Sequence, residues 1–351
     1  MIVIGSDPHK RSFTFSAVVA GTGELRSSET VPATGAGHAR MLAWARGLDA
    51  ERVWAVEDCR HVSGKLERFL LARGERVVRV PPKLMAGRRK GSRQRGKSDP
   101  IDSLAVARAA LEEGVDTLPV ARLEGPAREV KLLLDHREDV VAERTRIQNR
   151  LRWLLHDRWP ELELPAGCLD RLVWLDRLAG RLRRCTQDAD VRVMRHQVRR
   201  LRELTREAAA IERELLVLVG GLQPRLLDLP GVGALTAAKL IAEIAGIERF
   251  RSQAKLARLA GIAPIPASSG NRTRVRLDRG GNRQLNAAIH RIAVTQLRCH
   301  QPAKDYIARR LSEGKTKREA LRCLKRHLIR TIYNTMHNTN ANAPEHALAL
   351  T

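Results

Sequence analysis

Three β-rich runs follow one another at the start of the chain, at residues 2–4, 13–19 and 24–31, before any helical pattern appears. After them strands and helices alternate. Helical patterns cover 37–48, 61–73 and 99–113, and strand patterns cover 52–57 and 76–80, the last stopped by Pro81-Pro82. Strands joined by a short turn such as Gly21-Thr22-Gly23 pair antiparallel, whereas a strand reached through a helix needs a crossover. The order therefore predicts an antiparallel meander extended by crossover strands: a mixed sheet flanked by helices over residues 1–120.

The next hundred residues carry a different period. Val130, Leu133, Val140, Ile147, Leu151 and Leu154 recur mostly at three- and four-residue steps, as do Val191, Met194, Val198, Leu201, Ala208, Ile211, Leu215 and Leu218. These predict two long amphipathic helices within 121–220, joined by a segment holding Trp159-Pro160 and Pro165-Ala166-Gly167. Antiparallel pairing in one chain and a coiled coil between two chains would each bury both stripes. Arg137 and Arg144 interrupt the first. Residues 221–336 form a third, helical block with glycine-rich breaks, and 337–351 a polar tail. The fold class expected is α/β plus α.

Sixty-four Lys and Arg against 39 Asp and Glu give a net charge of +25. Such an excess repels itself unless a polyanion neutralises it, and nucleic acid is the usual one. An anionic membrane is the rival, but no apolar run approaches the roughly 20 residues of a spanning helix. Residues 1–10 lack a signal-peptide pattern. The expectation is a cytoplasmic, nucleoid-associated protein with no membrane partner. Five scattered cysteines form no Cys-x-x-Cys pair, which argues against a zinc site.

Four carboxylates stand where that fold could gather them. Asp7 follows the first run, Glu57 ends the fourth strand, and Asp99 and Asp102 lie three apart at a helix start, hence on one face. Were strands one and four neighbours, all four would meet at one end of the sheet. Acids so gathered repel one another without a cation, and hard divalent ions such as Mg²⁺ or Mn²⁺ take oxygen ligands. The plainer reading makes Asp7 and Glu57 strand-end polar residues and Asp99 a helix cap. Asp58 is a rival to Glu57, but strand alternation points it the other way.

Basic and glycine-rich segments surround this set. Lys83, Arg88, Arg89, Lys90, Arg93, Arg95 and Lys97 precede Asp99 with no acid among them, as in a loop that orders on phosphates. Leu229-Pro230-Gly231-Val232-Gly233 has the form of a helix-hairpin-helix turn. Gly231 and Gly233 would offer backbone N–H groups to a phosphate there, or simply make a tight turn. Ser268-Ser269-Gly270 is followed by Arg272, Arg274, Arg276 and, past a Gly-Gly-Asn, Arg283. On chemistry alone these serines suit phosphate binding or a turn better than nucleophilic attack, since no base is adjacent in sequence.

In this order the motifs resemble the one-ten family of insertion-sequence transposases. The similar residues are Gly5-Ser6-Asp7-Pro8-His9-Lys10, Glu57 and Lys97-Ser98-Asp99-Pro100-Ile101-Asp102. Toward the C-terminus they are the 229–233 turn, Ala260-Gly261-Ile262-Ala263-Pro264, Ser268-Ser269-Gly270, Gly280-Gly281-Asn282-Arg283-Gln284-Leu285 and the 314–333 helix. The resemblance implies an RNase H/RuvC-like DEDD domain, a long helical (coiled-coil) hairpin and a C-terminal transposase domain with a helix-hairpin-helix. It implies Mg²⁺ (or Mn²⁺) at Asp7, Glu57, Asp99 and Asp102, and a serine that attacks DNA: Ser269, with Ser268 in reserve. It also implies a homo-oligomer, dimer or tetramer, and, as in some members, a structured non-coding RNA that selects DNA. The function expected is a DNA transposase/recombinase. The alternatives are a RuvC-like junction-resolving endonuclease using activated water, and a non-catalytic nucleic-acid-binding regulator.

Overall fold

The computed structural model describes residues 1–57, 60–81, 84, 99–118, 120–121, 125–266, 275–276, 278 and 281–341, with backbone alone at 60–61, 275–276 and 340–341. The described residues divide into two compact units, 1–125 with 246–281 and 126–245 with 282–351.

The first unit holds a five-stranded sheet: β1 (Ile2–Pro8), β2 (Ser12–Val19), β3 (Leu25–Pro32), β4 (Arg52–Glu57) and β5 (Val77–Val80). Their order is β3-β2-β1-β4-β5. The first three strands pair antiparallel, and β1–β4 and β4–β5 pair parallel. This is the meander with crossover strands, a mixed sheet flanked by helices. Helix α1 (Gly35–Leu48) starts on a Thr34 cap, whose hydroxyl accepts from the Gly37 amide. Helices α2 (Arg60–Leu71) and α3 (Asp99–Glu113) complete the flanks.

Strand alternation sorts the core into two layers. Ile2, Ile4, Trp54, Val56 and Val77 pack with Met41, Leu42, Leu66 and Leu70 of α1 and α2. Val3, Val53, Ala55, Val78 and Val80 pack with Val106, Ala107 and Ala110 of α3. The first strand runs further than its apolar residues alone indicate. Pairing with β2 continues to Pro8, so Asp7 lies within β1, opposite Thr14, rather than after it.

The second unit is helical: α4 (Pro126–Arg158), α5 (Leu172–Arg183), α6 (Ala189–Leu222) and α7 (Ala234–Ile244). α8 (Gln253–Leu259) belongs to the first unit, and α9 (Arg283–Cys299), α10 (Gln301–Ser312) and α11 (Lys317–Ala341) complete the second. α4 and α6 pair antiparallel within the chain. Arg158 meets Asp188 at 2.8 Å, Arg200 meets Glu143 at 2.8 Å and Arg137 meets Glu212 at 2.8 Å. The two arginines that break the apolar stripe thus have carboxylate partners, Arg144 reaching Asp170 at 3.2 Å. The buried positions on α4 are Val130, Leu134, Val140, Leu151 and Leu155, one step from Leu133 and Leu154 of the expected stripe.

Candidate functional site

The register between β1 and β4 decides the site. Gly5 lies beside Ala55 and Ser6 beside Val56, so the next positions are Asp7 and Glu57. Asp7 shares its face with Val3, and Glu57 with Val53 and Ala55, so both carboxylates stand on the α3 side of the sheet. Gly5 lets α3 come down onto that face: a Cβ there would meet the Ser103 carbonyl oxygen and lie 2.5 Å from the Ala107 nitrogen. A buried hydrogen bond of 2.7 Å between the Ser16 and Ser103 hydroxyls ties α3 to β2. Asp99 and Asp102, in the first turn of α3, are thereby brought over the end of β1.

Asp7 is 6% exposed and Asp102 3%, whereas Asp99 is exposed and Glu57 half-buried. Burial raises the Asp7 carboxyl above its ordinary pKa. The charges of Asp102 and Asp99 push the same way, against the lowering effect of His9. The His9 Nε2 stands 3.1 Å from Asp7 Oδ2 and 3.3 Å from Asp99 Oδ1. One ligand atom from each of Asp7, His9 and Asp99 lies within 4.8 Å of the others, a spacing one cation could bridge. His9 was not among the expected site residues. The available signal was its place two residues after Asp7, just past the end of β1.

A cavity of about 380 Å³ opens beside His9, bordered by Lys10, Lys65 and Arg68 as well as Phe13 and Val62. Lys65 and Arg68 are three apart on α2, so one helix face presents both cations. Sequence reading placed the basic contacts elsewhere. Lys83, Arg88, Arg89, Lys90, Arg93, Arg95 and Lys97 lie outside the described residues, as does Asp58.

The paired serines and Arg272 and Arg274 also lie outside the described residues, but their setting is described. Ile265–Pro266 (β6) and Val275–Arg276 (β7) form a two-stranded antiparallel ribbon, and Arg276 belongs to a strand. At the ribbon's base Gly261, at φ +62°, and Gly281 approach so closely that a Cβ on Gly281 would strike the Gly261 backbone. This segment, 246–281, clusters with the carboxylate-bearing sheet, and Arg258 of α8 pairs with Glu113 at 2.7 Å. In the 229–233 turn Gly231 sits at φ +80° against α9, and Gln296 donates to the Pro230 carbonyl at 2.7 Å. The Val232 amide donates to Leu229 O and the Gly233 amide to Thr236 Oγ1. Arg283 is exposed at the start of α9, where Asn282 caps the helix.

Among the described residues no helix is long and apolar enough to cross a membrane. A family model described as a transposase of the DEDD IS110 type matches residues 4–160, and one described as the transposase IS116/IS110/IS902 family matches 223–308. The uncharacterized 44.8 kDa protein of insertion element IS116 from Streptomyces clavuligerus is 27% identical, over 87% of this chain and 87% of its own length. The 43.6 kDa protein of IS110 from Streptomyces coelicolor is 27% identical over 68% of this chain and 70% of its own. The 42 kDa protein of IS900 from Mycobacterium paratuberculosis is 23% identical over 81% and 82%. Among solved structures, T. thermophilus RuvC in complex with a Holliday junction substrate aligns with 34% of this chain and 99% of its own, at a TM-score of 0.28 and 18% identity. With one family's models matching both the carboxylate-bearing sheet and the block that follows the long helices, the chain is a transposase of the IS116/IS110/IS902 family.

Proposed function

We propose that this transposase cuts and rejoins DNA strands at a divalent-metal site made by Asp7, Glu57, Asp99 and Asp102, with a serine as the attacking group. The observation that supports it most is the crowding of acids around the buried Asp7, whose carboxyl is raised by burial and by Asp102 and Asp99. In a chain of net charge +25, an acidic cluster beside the cationic cavity of Lys10, Lys65 and Arg68 suits a phosphodiester held between cations. The donor set fits the metal class: carboxylate oxygens for Mg²⁺ or Mn²⁺, with the His9 nitrogen as a further ligand. A bound divalent cation would supply Lewis-acid stabilisation of the charge that develops on the phosphodiester.

The chain's own groups do the rest. Asp7 and Glu57 hold fixed positions on adjacent strands, and Asp99 and Asp102 approach on α3. Lys10, Lys65 and Arg68 would orient the strand through its phosphates. The Ser269 hydroxyl, with Ser268 in reserve, would form a bond to phosphorus while the bond to one strand oxygen breaks. The serine proton leaves, and the departing oxygen takes one up. The phosphoserine link keeps a reactive ester for rejoining. Lys83, Arg88, Arg89, Lys90, Arg93, Arg95, Lys97, Arg272, Arg274, Arg276, Arg283 and the Gly231–Gly233 turn are proposed nucleic-acid contacts. A guiding structured RNA and a homo-oligomer complete the reading. Trp153 and Val217, each 74% exposed on α4 and α6, are apolar surface that an oligomer would cover.

The test is to trap protein–DNA adducts from the full-length protein. Ser269→Ala should abolish them while DNA binding persists, and Asp7→Asn should stop strand cleavage. Adducts that persist in Ser269→Ala and vanish in Ser268→Ala would move the nucleophile. Metal-dependent cleavage with no adduct in the parent would mean attack by water, as in a junction-resolving nuclease.

A further inference from the structure

Helix α11 carries two rows at four-residue spacing on opposite sides. Ala320, Leu324, Leu328, Ile332 and Met336 are buried. Two positions out of phase, about half a turn around the helix, run Arg318, Arg322, Arg326 and Arg330, then Asn334 and Asn338. Arg318, Arg322 and Arg330 are exposed and Arg326 half-buried. Among the described residues none of the four arginines makes an ion pair, although the charge of Arg322 acts on Glu319, whose carboxyl is lowered first by its Thr316 hydrogen bonds. The helix's single acid, Glu319, is engaged with the amide and hydroxyl of Thr316. At the C-terminal end of the row a cavity of about 520 Å³ is bordered by Arg225, His327, Arg330, Asn334 and Asn338, with one acid, Asp228.

We infer that this face of α11 is a docking surface for the sugar-phosphate backbone of duplex DNA, separate from the carboxylate site and indifferent to base sequence. Guanidiniums in a row repel one another in solution, with Glu319 the one acid of the helix beside them, and are relieved by a row of phosphates. From Arg318 to Arg330 the row rises about 18 Å and turns by about 120° around the helix, so the four guanidiniums share one sector. The neutral donors of Asn334 and Asn338 and the adjoining Arg225 continue it. A solvated surface helix has interspersed charges, as in the second half of α6, where Glu203, Glu207, Glu212 and Glu214 accompany Arg206 and Arg213. The identity of the polyanion as DNA rests on the transposase reading above. The docking itself does not depend on the carboxylates.

The experiment measures binding of the full-length protein to a 34-base-pair duplex by fluorescence polarisation, in chelator, across a salt series and with two unrelated sequences. Each phosphate contact contributes about 0.9 to the slope of log K against log salt. Replacing Arg318, Arg322, Arg326 and Arg330 by Gln should lower the slope by about 3 to 4, equally on both sequences. Replacing the same four by Lys should keep most of it. A control quartet on α6, Arg192, Arg195, Arg199 and Arg206→Gln, should change it by less than about 1. The inference is overturned if the Gln quartet keeps the parent slope, if the α6 quartet matches it, or if the Lys quartet loses as much as the Gln quartet. Loss confined to a duplex RNA of the same length would overturn the assignment to DNA. In chelator the carboxylate site takes no part in this assay, so failure of the α11 face and failure of the cleavage site are read separately.

Discussion

Asp7 is a charged group held where its charge is disfavoured. Its carboxyl gives up a proton at higher pH in the fold than in the unfolded chain, because burial and the neighbouring Asp102 and Asp99 disfavour the anion. The native state thus binds more protons from the ordinary aspartate range upward to the raised value, and stability falls as pH rises through that window. Asp7→Asn removes the penalty. In chelator the variant should melt higher than the parent at neutral pH and converge with it at the acid end of the window. Adding Mg²⁺ should raise the parent's melting temperature and leave the variant's nearly unchanged, since a ligand stabilises only the state that binds it. Parallel melting curves of parent and variant across pH would contradict this origin of the shift. At this scale the sequence was informative about acids and silent about their neighbours. Asp7 and Glu57 could be read from strand order and alternation, and Asp99 with Asp102 from helical spacing. The closeness of His9 to two carboxylates depends on how far β1 extends, and β2 pairing rather than local composition sets that extent.

At the level of elements, the site is made by how closely α3 lies on the sheet. Gly5 has no side chain to hold the helix off, and the Ser16–Ser103 hydrogen bond fastens it. Gly5→Val should push α3 away, costing about 1 to 3 kcal/mol through overpacking. The same displacement would carry Asp99 and Asp102 off Asp7 and abolish strand cleavage, even under conditions where the variant remains folded. Denaturant melts and a cleavage assay check both, and a stable, fully active Gly5→Val would contradict the close-approach account. The strand and helix order was legible because periodicity reports each element's own exposure pattern. Pairing partners were less so: two apolar stripes on long helices fit a hairpin and a dimer equally well. Ion pairs such as Arg200–Glu143 then place α4 and α6 together within one chain. The β6–β7 ribbon, only two residues per strand, has too short a period to read at all.

Across the whole molecule, charge separates into roles. The excess of +25 is spread over basic faces, while Asp7, Glu57, Asp99 and Asp102 gather at one sheet end. Residues 246–281, far along the chain, cluster with that sheet rather than with the helices flanking them in sequence. No reading of consecutive segments anticipates this, because the segment's partners lie more than a hundred residues away. One claim underlies the functional account: acids from β1, β4 and α3 jointly bind a divalent cation. Anomalous diffraction from crystals of the full-length protein soaked in Mn²⁺ tests it directly. The account predicts a peak at coordination distance, about 2.0–2.6 Å, from carboxylate oxygens of Asp7 and at least one of Glu57, Asp99 and Asp102. Saturating Mn²⁺ with no peak there, or with peaks only elsewhere on the protein, would contradict it.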